Sequence, residues 1–591
     1  MIFAYDFETT TIEAGTPDLL YITACGPDGF KLSMPIRGTN KYQVLCTILE
    51  TFFLIPEFNK AQFIAWNGNG FDVYFIAAAL LCSERWIMQP YLTASKAMRG
   101  MKVKTKRRTK SKKTRIHSWE FLDGISMTGI VNKTAKSFFQ TFAPDLPKLD
   151  LNLDKEKFDY RNPQHIAYAE RDSEALYKGM CKVQSILTEL IEPDLIEKGE
   201  RMRLKPTIGN LAINYFMRHV PPGVVLKNPG QALNEILNGP VKRGGYCWCQ
   251  RQYTGPVWKY DINQAYAAAM RDAGLPCGDY AKTDRYMEGL PGVYEVKISR
   301  SKPSPVPFYY KIERDNVGRF ATGRVPVTTW LTTIEIEHLF KDGWDILFYG
   351  GYVWDQTFNF GDVVTRLETL RATDKDGSSG PLGTMVKAIG NNAYGKTLEQ
   401  LNGLELVLAK EAPEGFDLYD PLDECAGFIF SRNRPAFRKP YHLPQIGVFT
   451  TAHVRCIIRS AALLNPDAFL TADTDCTAFS EPMHQYLEID KSRYGAWKVE
   501  AEGVPYIIVG KKVYFGDDGT IKAKGLRTKE LSRADYEQWL LSNMPVQEQT
   551  QRNNFLKFIS GSDMFRTQER KGTDISKSTV YGVRNGVFIP K

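Results

Sequence analysis

The chain has 591 residues, 43% hydrophobic and 24% charged, a globular composition with room for roughly four domains. Its 76 basic and 67 acidic residues leave a net charge of +9. Ten cysteines without a CxxC pair argue against a disulfide scaffold or a zinc protein, the first residues lack a signal-peptide pattern, and no apolar run near the ~18 residues of a membrane span is expected.

In chain order, residues 2–7 predict an apolar strand, residues 62–66 a second one, and residues 71–82 a helix. Residues 102–115 hold nine basic side chains and no acid, a run that alone equals the net charge. It predicts an exposed loop, either merely solvated or tracking phosphates. A long helix is expected over 161–188, behind Asn162-Pro163. Near Pro206 the character changes, and Gly244-Gly245 with an aromatic strand at 258–260 begins a second region. Residues 303–326 open with three closely spaced prolines. A Gly/Ser turn cluster at 374–381 precedes a helix over 382–396, and residues 401–444 carry turn signals that read as an inserted module.

Asp6 and Glu8 are two apart in the first strand, so both carboxylates leave one face. Alone, that is an ordinary polar strand face. Residues 65–72 read as strand, glycine-rich turn and helix start, with Asp72 where a helix dipole favours an acid. Tyr168 and Asp172 stand four apart on one helix face. Together, four carboxylates and a tyrosine in one α/β region suit two divalent cations hydrolysing a phosphodiester, with Tyr168 positioning the attacking water.

A second set follows. Asp261 closes the aromatic strand. Asp473 and Asp475 are expected on one face of an apolar strand, where like charges repel and a bound cation would relieve them. Between them, Lys387, Asn391 and Tyr394 share one helix face. Lys387 suits a phosphate as a point charge and Tyr394 suits a stacked base, while Gly390 and Gly395 are expected to let a ligand or strand approach.

In this order, the motifs resemble those of the family B DNA polymerases with a proofreading exonuclease. Asp6-Phe7-Glu8, Asn67-x-x-x-Phe71-Asp72 and Tyr168-x-x-x-Asp172 resemble the three exonuclease motifs. Asp261-x-x-x-x-Tyr266, Lys387-x-x-x-Asn391-x-x-Tyr394-Gly395 and Asp473-Thr474-Asp475 resemble polymerase motifs A, B and C. Lys512-Val513-Tyr514 resembles the motif that grips the primer end. The chain's size and the room between its motifs resemble the protein-primed branch found in bacteriophages. Ser126-Met127-x-x-Ile130 is similar to that branch's single-strand-binding motif, and Lys148 to an exonuclease lysine.

The resemblance implies an α/β and α+β multidomain chain. An RNase H-like exonuclease domain would cover 1–189, a palm 190–272 and 441–544, fingers 361–397 and a thumb 545–591. Insertions at 273–360 and 398–440 would serve the terminal protein and strand displacement. The implied activity is DNA-directed DNA polymerisation with a 3′→5′ exonuclease, replicating a linear viral or plasmid genome by protein priming. Each site would hold two Mg²⁺ ions, with Mn²⁺ as an alternative. Their ligands would be Asp6, Glu8, Asp72 and Asp172 in one domain, and Asp261, Asp475 and the Ile262 carbonyl in the other, where Asp473 joins the catalytic acids. Tyr266, Lys375, Lys387, Asn391 and Tyr394 would bind the nucleotide, with Tyr266 excluding a 2′-hydroxyl. Thr9, Asn67, Phe71, Ser126, Met127, Lys148, Gly244, Gly245, Lys512 and Tyr514 would contact DNA.

Implied partners are primer–template DNA, deoxynucleoside triphosphates, a terminal protein and a single-stranded-DNA-binding protein. The expected state is a monomer away from membranes, in the cytoplasm, or the host cytoplasm if viral. The sequence departs from the branch at Lys242-Arg243-Gly244-Gly245, which lacks the linker tyrosine, and at Thr471 and Cys476, where motif C usually has tyrosine and serine. The rival reading is an exonuclease or a DNA-binding replication factor with an inactive polymerase half. Two complete carboxylate sets count against it.

Overall fold

Seven strands build the N-terminal region: β1 (Ile2–Thr9), β2 (Leu19–Cys25), β3 (Lys31–Pro35), β4 (Gln62–Ala65), β5 (Ile87–Leu92), β6 (Met98–Arg108) and β7 (Thr114–Asp123). β1 runs antiparallel to β2 and parallel to β4, which is parallel to β7. The computed structural model describes the chain except residues 11–14, 94–96, 109–113, 131–133, 150, 152–157, 313–316, 375–379, 400–402, 420–427, 434–438, 524–533, 535–546, 554, 561, 572–580, 585–586 and 591. Phe3, Phe63 and Phe121 stack through the centre of the sheet at 4.9 and 5.2 Å, so β1, β4 and β7 are locked by aromatic burial.

The helix Pro163–Ile191 packs on β1 and β2. Asn162 caps it by accepting from the Gln164 N–H, and Pro163 presets its first turn. Thr23 of β2 fastens it: the hydroxyl lies 2.6 Å from the Ser173 hydroxyl and donates to the Ala169 carbonyl at 3.2 Å.

Within the described residues the basic run is not the loop its charge predicts, while residues 109–113 lie outside them. Residues 102–108 belong to β6, and the chain returns on β7 with Arg107 opposite Arg115. Met101 and Val103 are buried beside Trp119 and Phe121, while Lys102 and Lys104 alternate with them. This period of two is a strand signal that the summed charge conceals.

The second region begins with β8 (Tyr246–Cys249) and β9 (Tyr253–Ile262). Six strands follow, β10 (Leu275–Thr283), β11 (Gly292–Ser299), β12 (Phe308–Lys311), β13 (Gly318–Ala321), β14 (Val327–Thr332) and β15 (Asp345–Phe358), in the stretch expected as an insertion. Four of these make an antiparallel sheet, β10-β15-β11-β14, and β12–β13 is a hairpin. β16 (Leu404–Leu408), β17 (Asp417–Leu418) and β18 (Ile429–Asn433) extend the N-terminal sheet, through Leu408 opposite Met88. Among the described residues, that sheet has the order β17-β18-β16-β5-β6-β7-β4-β1-β2-β3. β19 (Phe469–Thr474), β20 (Cys476–Phe479), β21 (Trp497–Gly510), β22 (Val513–Gly516) and β23 (Ile521–Ala523) join β8 and β9 in an antiparallel sheet, β23-β22-β21-β9-β20-β19-β8.

The helix Pro444–Leu464 corrects the expectation that no segment is long and apolar enough to cross a membrane, since it is so by length and composition. Here it is a core helix: 72% of its apolar window is buried, and Arg455 and Arg459 on it are buried in ion pairs. Phe555 and Phe558 pack their rings on Tyr74 at 5.1 and 5.6 Å, against the helix Asp72–Leu80.

Candidate active sites

Asp6 and Glu8 reach one cavity from the exit of β1. Asn67, Phe71 and Asp72 reach it from the turn after β4, and Tyr168 and Asp172 from the helix Pro163–Ile191. The cavity measures about 210 Å³. Asn67 takes a left-handed conformation (φ 64°), which turns the chain from β4 into the helix Asp72–Leu80. Burial, then the charges of Glu8, Asp72 and Asp172, push the Asp6 carboxyl well above the usual range. Lys148 sits 2.5 Å from Asp172 and 5.1 Å from the centre of the Tyr168 ring. Burial pulls its ammonium down, but Asp172 more than offsets this and holds it above its ordinary value. Crowded hard-oxygen donors of this kind fit divalent cations.

Beside the cavity, Asn69 donates to Asp123 at 3.1 Å and to the Ser126 hydroxyl at 2.9 Å. Asp123 also caps the short helix Gly124–Thr128. Two expected DNA contacts turn inward. Met127 is 1% exposed in the core, because the turn that presents Ser126 points its neighbour beneath the sheet. Thr9 is also 1% exposed, past an irregularity in β1, and its hydroxyl donates to the Thr10 carbonyl. Phe71 lines the cavity, with its ring edge-on to Phe75 at 5.1 Å.

The second set gathers at one end of the seven-stranded sheet. Asp261 lies next to the last residue of β9, opposite Cys476. Asp473 is in β19, but Asp475 is not on its face. Thr474 turns left-handed (φ 70°), and Asp475 occupies the tight turn into β20, its N–H donating to the Asp473 carbonyl at 2.9 Å. The repulsion expected between same-face neighbours is thus reduced by a hairpin. Lys498 pairs with Asp261 at 2.9 Å, and Lys512 with Asp473 at 2.8 Å. Burial, with Asp261 and Asp473 adding to it, still pushes Asp475 up to about 6, while the charge of Lys387 opposes the rise. Asp261 is raised by burial, against which Lys498 acts. The donors again fit a divalent cation. Ile262 buries its side chain, and its N–H donates to the Asp475 carbonyl at 2.8 Å.

Lys387, Asn391 and Tyr394 lie on the helix Pro381–Thr397. Tyr394 stacks on Tyr266 at 4.2 Å, with the rings 13° apart. Gly390 does not admit a ligand: a Cβ there would stand 3.1 Å from that of Ala267, so this glycine lets two helices meet, whereas Gly395 faces open space. Lys375 lies outside the described residues. Tyr514 is 4% exposed, because β22 is buried along its length. Gly244 is open to solvent, whereas Gly245 packs on Thr474 rather than facing a DNA groove. Sequence reasoning missed Lys498, which alternates with Trp497 and Val499 on β21, and Glu500, which pairs with Lys259 at 2.5 Å. Asp261, Cys476 and Glu500 offer ligand atoms within 4.8 Å of one another.

A family model for DNA polymerase type B, organellar and viral, matches residues 146–417. A probable DNA polymerase from Neurospora intermedia is 24% identical over 42% of the chain, which spans 26% of that relative's length. A DNA polymerase of Streptococcus phage Cp-1 is 24% identical over 70% of this chain and 73% of its own. The fold matches Phi29 DNA polymerase in complex with primer-template DNA and incoming nucleotide, at 15% identity and a TM-score of 0.70, covering 97% of this chain and 99% of that one. The same enzyme with single-stranded DNA matches at 16% identity and 0.66, over 96% and 99%.

Proposed function

We propose that the chain is a family B DNA polymerase of the organellar and viral type, which extends DNA primers at Asp261, Asp473 and Asp475 and edits them 3′→5′ at Asp6, Glu8, Asp72 and Asp172. One observation carries the reading: the first acid set converges in one cavity and the second at one end of the seven-stranded sheet, where it faces Lys387 and the Tyr266–Tyr394 stack.

Asp6, Glu8, Asp72 and Asp172 would hold divalent cations at the first site, and Asp261, Asp475 and the Ile262 carbonyl at the second. We infer two Mg²⁺ ions per site, with Mn²⁺ as an alternative. Bound there, they would activate the attacking oxygen and neutralise the leaving group. The protein's own groups do the rest. Lys387 binds the triphosphate as a point charge, and Tyr266, braced flat by Tyr394, floors the sugar and leaves no room for a 2′-hydroxyl. Asn391 sits on the same helix, a turn from Lys387, and orients the nucleotide. Lys512 holds the primer end. In the first site Tyr168, beside Lys148, orients the attacking water, while Asn67, Phe71 and Ser126 guide the frayed strand.

Primer–template DNA and deoxynucleoside triphosphates are the proposed substrates, a terminal protein the primer, and a single-stranded-DNA-binding protein an accessory. The enzyme works as a monomer in the cytoplasm, the host's where the genome is viral. Residues 398–440 serve strand displacement. Extension of a labelled primer by the wild type, lost on Asp475→Ala while 3′→5′ degradation persists, tests the reading. Undiminished extension by Asp475→Ala would refute it.

A further inference from the structure

The loop before β8 is fastened at nearly every residue. Lys311 donates to the Lys242 carbonyl at 2.7 Å. The Arg243 guanidinium reaches the Tyr309 and Trp330 carbonyls at 3.0 and 3.1 Å, and the Tyr246 hydroxyl donates to the Pro307 carbonyl at 2.7 Å. All these partners belong to the insertion between β10 and β15. From the core helix, Arg455 donates to the carbonyls of Arg243 and Gly244 at 3.0 and 3.2 Å. Between the two arginines sits Glu335, 1% exposed, with Arg243 on one oxygen at 2.7 Å and Arg455 on the other at 2.8 Å. The Thr332 N–H and hydroxyl complete its shell at 3.2 and 3.1 Å.

The other side of this loop presses on the catalytic hairpin. A Cβ at Gly245 would stand 2.6 Å from Thr474 Cγ2 and 2.9 Å from its Cα. In the ladder, Tyr246 pairs with Thr474, and Cys247 with Asp473. Thr474, between the two aspartates, is a β-branched residue in the left-handed region, a conformation that persists only where its surroundings impose it. Gly245 and β8 are those surroundings.

We propose that Glu335 is a positioning residue for polymerisation. Through Arg455 and Arg243 it fixes the Gly244-Gly245 loop, which holds Thr474 and with it Asp473 and Asp475. The insertion is then a mount for the chemistry as well as an appended lobe. Neutralising Glu335 leaves two buried guanidiniums facing each other, both tied to the loop, and their displacement is passed to the turn. The exonuclease acids gather in another cavity, from β1 and two helices, and are spared. This inference rests on the polymerase reading above.

The test is Glu335→Gln in the full chain, assayed for single-nucleotide extension, Mg²⁺ requirement, 3′→5′ degradation and thermal midpoint. The extension kcat should fall about tenfold with KM within about twofold, the Mg²⁺ requirement should rise, and degradation should hold. Glu335→Asp, which keeps the charge, should recover part of the loss. Gly245→Ala should also lose extension, and the double variant should be no worse than the poorer single, since both act through one turn. If Glu335→Gln does not fold, Arg455→Lys, which cannot span carboxylate and carbonyls together, takes its place with the same expected split. Unchanged extension, losses that multiply in the double variant, or extension and degradation falling together with the thermal midpoint would overturn the proposal. A wild type that extends no primer would instead sink the polymerase reading.

Discussion

In the N-terminal cavity Asp6 is crowded by Glu8, Asp72 and Asp172, and its carboxyl is driven well above the usual range. At the seven-stranded sheet Asp261 and Asp473 each have an ammonium within 3 Å, and Asp475 rises only to about 6. The same chemical groups are thus arranged under different tension. The first site packs four acids around one ammonium, that of Lys148 on Asp172. The second is more fully neutralised in advance, with an ammonium on each of two acids. A shift such as that of Asp475 is worth roughly 3 kcal/mol between its protonation states.

The largest expected effects separate the two sites. Asp475→Ala should lower primer extension about 10³-fold while leaving degradation intact, and Asp6→Ala with Glu8→Ala should do the reverse. Both rates come from one gel assay, and a single variant silencing both would end the comparison.

Removing the ammonium groups sharpens it. Lys148→Met should slow degradation about 10²-fold, because Asp172 and Tyr168 lose the cation that orients them. Lys498→Met should slow extension only about tenfold, since Lys387 and Lys512 remain. Single-turnover rates measure both, and the reverse order would show that pre-neutralisation matters more than crowding.

The raised carboxyls also predict how cations stabilise the fold. A carboxyl whose folded pKa is raised destabilises the protein when ionised, so for Asp475 stability falls as pH rises from ~4 to about 6 and stays lower above that. A divalent cation relieves the ionised form. The gain in Tm on adding Mg²⁺ should therefore be largest above about pH 6 and fade toward ~4. Equal gains across that range in a melting series would contradict the assignment. Asp6→Asn should remove part of the gain.

The smallest effect concerns the β6–β7 ribbon. Replacing the nine basic residues of 102–115 with serine or glutamine should flatten the log–log salt dependence of single-strand binding by roughly 1.5–3 units, at ~0.7 per phosphate contact. Extension at saturating DNA should persist. Parallel salt plots would reduce the ribbon to a solubilising feature.

Much of the carboxylate chemistry was legible in the sequence, because metal-ligating function demands particular side chains at particular spacings. Asp6 with Glu8, and Tyr168 with Asp172, declare a face by period alone, and the described structure brings these four together with Asp72 in one cavity. Orientation was less legible. Thr9, Met127 and Tyr514 match motif positions yet are buried, since a motif states identity and not which way a side chain turns. Residues 102–108 of the basic run were misread because charge was summed where alternation should have been followed, and Asp475 because a strand pattern does not show a left-handed turn at Thr474.

What the sequence determined by itself was the set of acids, the order of motifs and the main strands and helices around them. These follow from local periodicity and from the few side chains able to bind hard cations. Only the tertiary structure decided which lysine faces which aspartate, that Gly390 serves helix packing, and that Glu335 joins Arg243 to Arg455. Those partners are remote in the chain and share no periodicity. They are selected by burial, where an unpaired charge is too costly to leave and the nearest opposite charge must be supplied by folding.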